Sequence, residues 1–491
     1  MVRILGWLIG LVVLSASPTQ AQPTPTTTYQ VQPVVDHGAL VGVDVTLTFR
    51  GDADGRTEVD LPRSWAGAQR LDQGLGDLRV EGARLRRRGS VVSLRHPRSA
   101  PIRLTYRIGS SALSHRTGAP ARPYLPSIQS QGFTLIGRTV MAQVRHRQSG
   151  YVTFGWGPTP TGWQLSSDLD RVVGLPISFD DLADSVLVGG RDLRIVERQG
   201  PSGTVTLALR GAWRFSDAEL ANLYLRVVAA SERFWGEPAA GYFLALSPRE
   251  DRLSETSQAG LGLGDGLAIW LTQDQSLEDL GHVLVHEQQH GWLPDHFGGL
   301  TPGSGEVLDF WFSEGFTDYY ALRLELILGL VGPEAFIASL DQALERQANT
   351  PFRVENSAIA RAFFSDPAIA GIPYHRGLLL ALMLDDRLWA MSGDRLDDLM
   401  LSLPSGQGAA PDRLIAAYGL ATGLDLRPDL FEHIDRGEPV RFPPQLFGNC
   451  VSVVETAHRQ RLVPGPGLEN TERAACVARL SGSLTYKDIL I

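Results

Sequence analysis

The chain has 491 residues, 43% of them hydrophobic and 20% charged, with a formal net charge of −9. This is the composition of a soluble globular protein, and the mild negative charge argues against nucleic acid or an anionic membrane surface as the main partner. The length exceeds one ordinary core and calls for two or three domains, and two cysteines without a C-x-x-C pair exclude a cysteine-based metal site.

The amino terminus reads MVRILGWLIGLVVLSASPTQA, with one Arg, an apolar run from Ile4 to Leu14, and small or polar residues up to Ala21. That order is the pattern of a secretory signal peptide over 1–21. The run falls short of the roughly 20 apolar residues that span a bilayer. The expectation is an exported protein, periplasmic or secreted, with no stable membrane span after cleavage; an uncleaved anchor is the alternative. A Pro/Thr-rich linker follows at 22–28.

In VGVDVTLTFR, residues Val41, Val43, Val45, Leu47 and Phe49 alternate with polar or small ones, and IRLTYRI and TVTLALR repeat the period. Alternation places one face of a strand on a core and the other in water. Residues 29–212 therefore read as an amino-terminal β-sandwich or saddle-like sheet domain. The triple Arg at 86–88, beside Gly89, reads as a solvated turn.

At Ser216 the texture becomes helical, with Ser216 and Glu219 in capping-box spacing. A Gly-rich stretch, AGLGLGDGLAIWLT, precedes SLEDLGHVLVHEQQHGW, read as a helix capped at Ser276. From about 307 to 440 nearly everything reads as helix, apart from Pro-rich breaks near 351–373. The expected fold class is α+β multidomain: the β domain, a catalytic-looking α+β domain at 213–345, a helical region at 346–440 and a tail at 441–491.

The chemistry concentrates in VLVHEQQHGW. Residues four apart on a helix share a face, so His286 and His290 aim two imidazoles at one ion. Glu287 lies about 100° around the helix and leans over a water at that ion instead. In the H-E-x-x-H arrangement zinc lowers the water's pKa to about 7 and the glutamate takes its proton. The alternative is a solvated polar face. A catalytic zinc needs a third protein ligand. DFWFSEGFTDYY supplies Glu314 among four aromatic rings, and Asp318 one turn later to orient a ligand imidazole.

HEQQHGW followed by WFSEGFTDYY resembles the gluzincin metallopeptidases, and among them is most similar to the glycyl aminopeptidase family. The resemblance implies a thermolysin-like zinc peptidase domain between the β domain and the helical region. It implies one Zn2+ held by His286, His290 and Glu314, with Glu287 as general base and Asp318 behind the ligands. It also implies a tyrosine that donates to the oxyanion, and PYHRG offers Tyr374, with His375 as the rival donor and Arg376 in place of the family's lysine. The family's amine-binding Gly-Gly-Leu-Glu-His is replaced by GLGLGDG, where Gly262, Gly264 and Asp265 are the candidate substrate-binding residues. Glycines there allow close approach of an extended peptide to an edge strand.

His282, one turn before His286, is read as packing or hydrogen-bonding near the site, and His296 as solvent-exposed. In an oxidising compartment Cys450 and Cys476 are expected to form a disulfide closing a loop of about 26 residues, which stabilises by roughly 3 kcal/mol in the chain-entropy account. The reading is an exported zinc metallopeptidase acting on peptide or protein substrates, as an aminopeptidase or an endopeptidase. Its rivals are a secreted binding or scaffold protein with a vestigial peptidase domain, and a zinc hydrolase acting on something other than peptides.

Overall fold

The computed structural model describes residues 27–109, 124–145, 150–238, 242–249, 258–264, 266–293, 297–301, 303–350, 354–403 and 409–482. The signal-peptide reading at 1–21 and Asp265 lie outside the described residues, as do Asp295 and His296.

The protein is α+β. Its amino-terminal half begins with a five-stranded sheet in the order Val152–Trp156, Thr27–Asp36, Ala39–Arg50, Pro101–Gly109, Leu75–Glu81. Val43, Val45, Leu47 and Phe49 enter its core as the alternation requires, but Val41 is 40% exposed and Leu40 is buried instead. The cause is a register shift between Val34 and Val35, which pairs Val34 with Gly42 and Val35 with Leu40. An unpaired residue at such a bulge inverts the facing beyond it. A second sheet contributes Val59, Val92 and Leu94 to the same core.

The triple Arg belongs to that second sheet and forms strand rather than turn. Arg84–Arg88 is its edge strand, paired with Val91–Arg95. Arg87 donates to the backbone oxygens of Leu75 at 2.9 Å and Asp72 at 2.6 Å. Charge along an exposed edge blocks pairing with another chain. A third sheet, with Gly132–Ile136 and Val186–Gly190 at its centre, is buried on both faces. Phe133, Leu135 and Leu187 join the first core. Ile136, Val186 and Val188 pack on Ala208, Phe243, Ala245, Ala268 and Trp270 of the sheet that carries the site.

That sheet has five strands: β1 (Arg194–Gln199), β2 (Thr204–Leu209), β3 (Phe243–Pro248), β4 (Gln258–Leu263) and β5 (Gly266–Leu271). Their order is β1-β2-β3-β5-β4, with β2, β3 and β5 parallel and β4 antiparallel at an edge. TVTLALR, assigned by its alternation to the β domain, is β2 of this sheet. Both of its faces are covered, Leu207 and Leu209 by helices and Ala208 by the third sheet. The sheet boundary therefore falls before Arg194 rather than at 212.

Five helices complete the frame of the site: α1 (Asp217–Trp235), α2 (Leu277–Gln289), α3 (Gly315–Leu328), α4 (Pro333–Asn349) and α5 (Ile372–Ser392). Capping boxes open α1 at Ser216/Glu219 and α2 at Ser276/Asp279. One continuous core runs from Val205 to Leu480, so the divisions at 345 and 440 mark no break in packing. The tail forms a three-stranded sheet over residues 445–464 and a last helix, α6 (Arg473–Ser481), with Cys450 and Cys476 joined in a disulfide. It is held to the helices by Asp341 of α4, which pairs with Arg459 at 2.6 Å and Arg461 at 3.2 Å.

Candidate metal centre

Helix α2 lies between β4 and α3, and its last turn carries His286 and Glu287, with His290 as the capping residue at its end. Glu314 is the amino-terminal capping residue of helix α3, and Asp318 sits in its first turn. Gly315 allows α3 to cross α5, because a Cβ there would meet the Gly377 backbone.

Nε2 of His286 is 3.4 Å and Nε2 of His290 is 3.6 Å from one oxygen of Glu314. Ligand atoms of the three residues lie within 4.8 Å of one another. The other ring nitrogens are already engaged. Nδ1 of His286 is 2.8 Å from Asp318, and Nδ1 of His290 is 3.2 Å from the Leu293 carbonyl. A carbonyl only accepts, so Nδ1 of His290 carries the proton and Nε2 is free to ligate. Two imidazoles and a carboxylate with oriented second nitrogens are a donor set that suits zinc.

The charges are mutually arranged. Burial works against ionisation of Glu314, yet His290 and His286 hold its carboxyl well below the usual range. Asp318 is likewise depressed, against burial, by hydrogen bonds from His282 and His286. Burial pushes the Glu287 carboxyl up, with His286 and His290 offsetting part of the rise and the Gly262 backbone N–H donating to it.

Edge strand β4 lies directly on this helix. A Cβ at Gly262 would stand 2.8 Å from the Glu287 carbonyl oxygen and 3.0 Å from Cβ of His290. A Cβ at Gly260 would overlap the Glu287 carboxylate. Gly264 turns the chain out of β4 with φ of 47°. Gly262 is thus in contact with the site, while Gly264 serves the turn.

Tyr374, in the first turn of α5, stacks on His286 with ring centroids 6.1 Å apart and planes 23° from parallel. Burial, and then the charges of Glu314, Asp318 and Glu287, raise its pKa far above 10, so the phenol keeps its proton. His375 points elsewhere: its Nε2 is 3.1 Å from the Thr350 hydroxyl. Two residues extend the site beyond the motif. His282 has Nδ1 2.8 Å from Glu325 and Nε2 3.6 Å from Asp318. Glu325 has no motif to mark it; only its spacing of two helical turns from Asp318 on α3 could have drawn notice.

No family model and no curated sequence matches the chain. Solved structures do. An aminopeptidase N family protein from Idiomarina loihiensis matches with a TM-score of 0.71 at 17% identity, over 88% of this chain and 79% of that one. An M1 zinc metallopeptidase from Deinococcus radiodurans matches with a TM-score of 0.53 at 16% identity, over 86% of this chain and 96% of that one. A substituted form of it, described as bound to a Tyr-Ser-Ala substrate, gives 0.54 over the same shares. The motif resemblance pointed to gluzincins with a thermolysin-like domain, and these neighbours carry the names aminopeptidase N and M1 rather than glycyl aminopeptidase. The chain has the fold of the M1 zinc metallopeptidases.

Proposed function

We propose that the protein is an exported, zinc-dependent metallopeptidase of aminopeptidase-like design. The observation that carries this reading is the convergence of His286, His290 and Glu314, with Glu287 and Tyr374 beside them. Zinc held there supplies a Lewis acid for a carbonyl and acidifies a water. Glu287 takes the proton of the attacking water and returns it to the leaving amine, a two-way role suited to a carboxyl raised by burial. Tyr374 donates its phenolic hydrogen to the oxyanion, a bond formed only as charge develops. The outer edge of β4, which pairs with no further strand among the described residues, accepts an extended peptide by main-chain hydrogen bonds. The Tyr-Ser-Ala substrate named for the Deinococcus enzyme supports peptides as the substrate class, and the signal-peptide pattern at 1–21 supports export.

A second reading, endopeptidase action, is favoured by β4 itself. At Gly260 and Gly262 the strand has no room for a side chain, so these positions offer no carboxylate to a substrate's amino group. The test uses two peptides that differ only in a free or acetylated amino terminus, each with and without a zinc chelator. Chelator-sensitive cleavage of the free peptide alone makes it an aminopeptidase, and cleavage of both an endopeptidase. Stoichiometric zinc with no turnover of any peptide defeats both and leaves the scaffold protein and the zinc hydrolase of non-peptide substrates.

A further inference from the structure

Just beyond Tyr374, helix α5 carries a buried charge that hydrolysis does not use. Arg376 is 6% exposed. Its guanidinium donates to the backbone carbonyls of Ile434 at 3.2 Å and Val354 at 2.7 Å. Burial lowers its pKa to about 10, and no carboxylate among the described residues compensates. The other deeply buried arginines among the described residues differ: Arg210 is paired with Asp192, Arg323 with Asp397, and Arg395 with Asp385. A buried cation without an anion is costly, and proteins supply a partner or a ligand.

Arg376 lines a cavity of about 230 Å³ together with Thr350, His375, Arg441, His458 and Arg459, and no Asp or Glu is among its described lining residues. Arg459 is held by Asp341 at 2.6 Å, whereas Arg441 and His458 stand at the exposed rim. His375 is kept neutral, its pKa lowered to about 4 by burial and then by Arg376 and Arg346. Gly437, with φ of 71°, closes one wall so tightly that a Cβ would overlap the Arg376 guanidinium.

The geometry points to this cavity as a binding site for a compact oxyanion, a phosphate or a single carboxylate, gripped by Arg376 from inside and by Arg441 from the rim. Arginine forks match the paired oxygens of both groups. The volume lies below the roughly 300 Å³ at which pockets for larger organic ligands begin. The site shares no residue with the metal centre, so it stands whether or not the chain hydrolyses peptides.

Equilibrium dialysis of labelled inorganic phosphate against the zinc-loaded full chain tests it, with chloride holding ionic strength constant. The wild type is expected to take up one phosphate in the millimolar range or tighter that Arg376→Gln and Arg441→Gln weaken by at least about tenfold. Phosphate at the metal would be untouched by either substitution. Arg441 lies on the surface, so its variant remains informative even if Arg376→Gln fails to fold. Displacement by a short peptide with a free carboxyl terminus, but not by its amide, identifies a peptide carboxylate as the natural occupant; displacement by neither leaves phosphate. Uptake that survives in both variants, or no uptake in the millimolar range, overturns the assignment.

Discussion

Gly260 lies so close to Glu287 that a Cβ on the strand would overlap the carboxylate of the helix. The strand is thus the rest against which the proposed base is set. Gly260→Ala must displace that carboxylate, and a misplacement of about 1 Å costs about 100-fold in rate. The variant is expected to keep its zinc and lose kcat by that factor, measured by metal analysis alongside steady-state kinetics. Full kcat in a zinc-loaded variant would show that the strand does not set the base.

Asp318 orients His286 through a 2.8 Å hydrogen bond. Removing such an orienting carboxylate weakens metal binding by about 10- to 100-fold. Competition with a chromogenic chelator should give that loss for Asp318→Ala, and an unchanged zinc affinity would mean the imidazole is fixed by packing alone.

Tyr374 keeps its proton and stacks on His286. Tyr374→Phe keeps the ring and deletes the donor, and should lower kcat by about 100- to 1,000-fold with little change in KM or zinc content. His375, engaged with Thr350, predicts the contrast: His375→Ala should leave kcat within about threefold, since it gives nothing to the transition state.

His282 gives the stability a pH signature. Burial opposes its charge, but Asp318 and Glu325 outweigh burial and raise its pKa from 6.5 to about 9. A group whose folded pKa is raised stabilises fully below its unfolded pKa and loses that contribution as pH climbs through the folded one. Melting curves should therefore show the wild type ahead of His282→Gln below pH 6.5, with the gap closing as the pH rises to about 9. A gap independent of pH would assign the effect to packing.

Arg323 of α3 and Asp397 are both fully buried and bonded to each other. Taking away one partner of a buried pair costs about 3–5 kcal/mol, because the remaining charge is stranded. Urea unfolding of Asp397→Asn should show a loss of that size, and a loss below about 1 kcal/mol would mean that Asp385, 3.9 Å from Arg323, and the carbonyl of Ser481 at 2.9 Å compensate the charge.

The convergence of the candidate metal-binding residues was legible because it is written in helical spacing. His286 and His290 share a face by their separation, and Asp318 follows Glu314 by one turn, so local geometry alone brings each pair together. Contacts between elements were not legible in this way. The alternation of Thr204–Leu209 announces a strand without saying which sheet it joins. Val41 kept the apolar pattern but is itself the unpaired residue of a bulge in its strand. The arginines of 84–88 form a strand because they occupy an edge, where charge is tolerated on both faces. Arg376 and Arg441 meet at one cavity only through the docking of a distant loop on α5.

The bond from Arg323 to Ser481 bears on when the site can exist. Helix α3, with Glu314 at its start, is anchored at its buried arginine by a residue that leaves the ribosome more than 150 positions later, the separation being 158. Chains are made amino end first. The helix that begins at Glu314 thus lacks this anchor until residue 481 has been made, and a metal site that needs the helix in place is completed only after that. For a chain threaded unfolded through a membrane, that timing would place zinc loading on the far side.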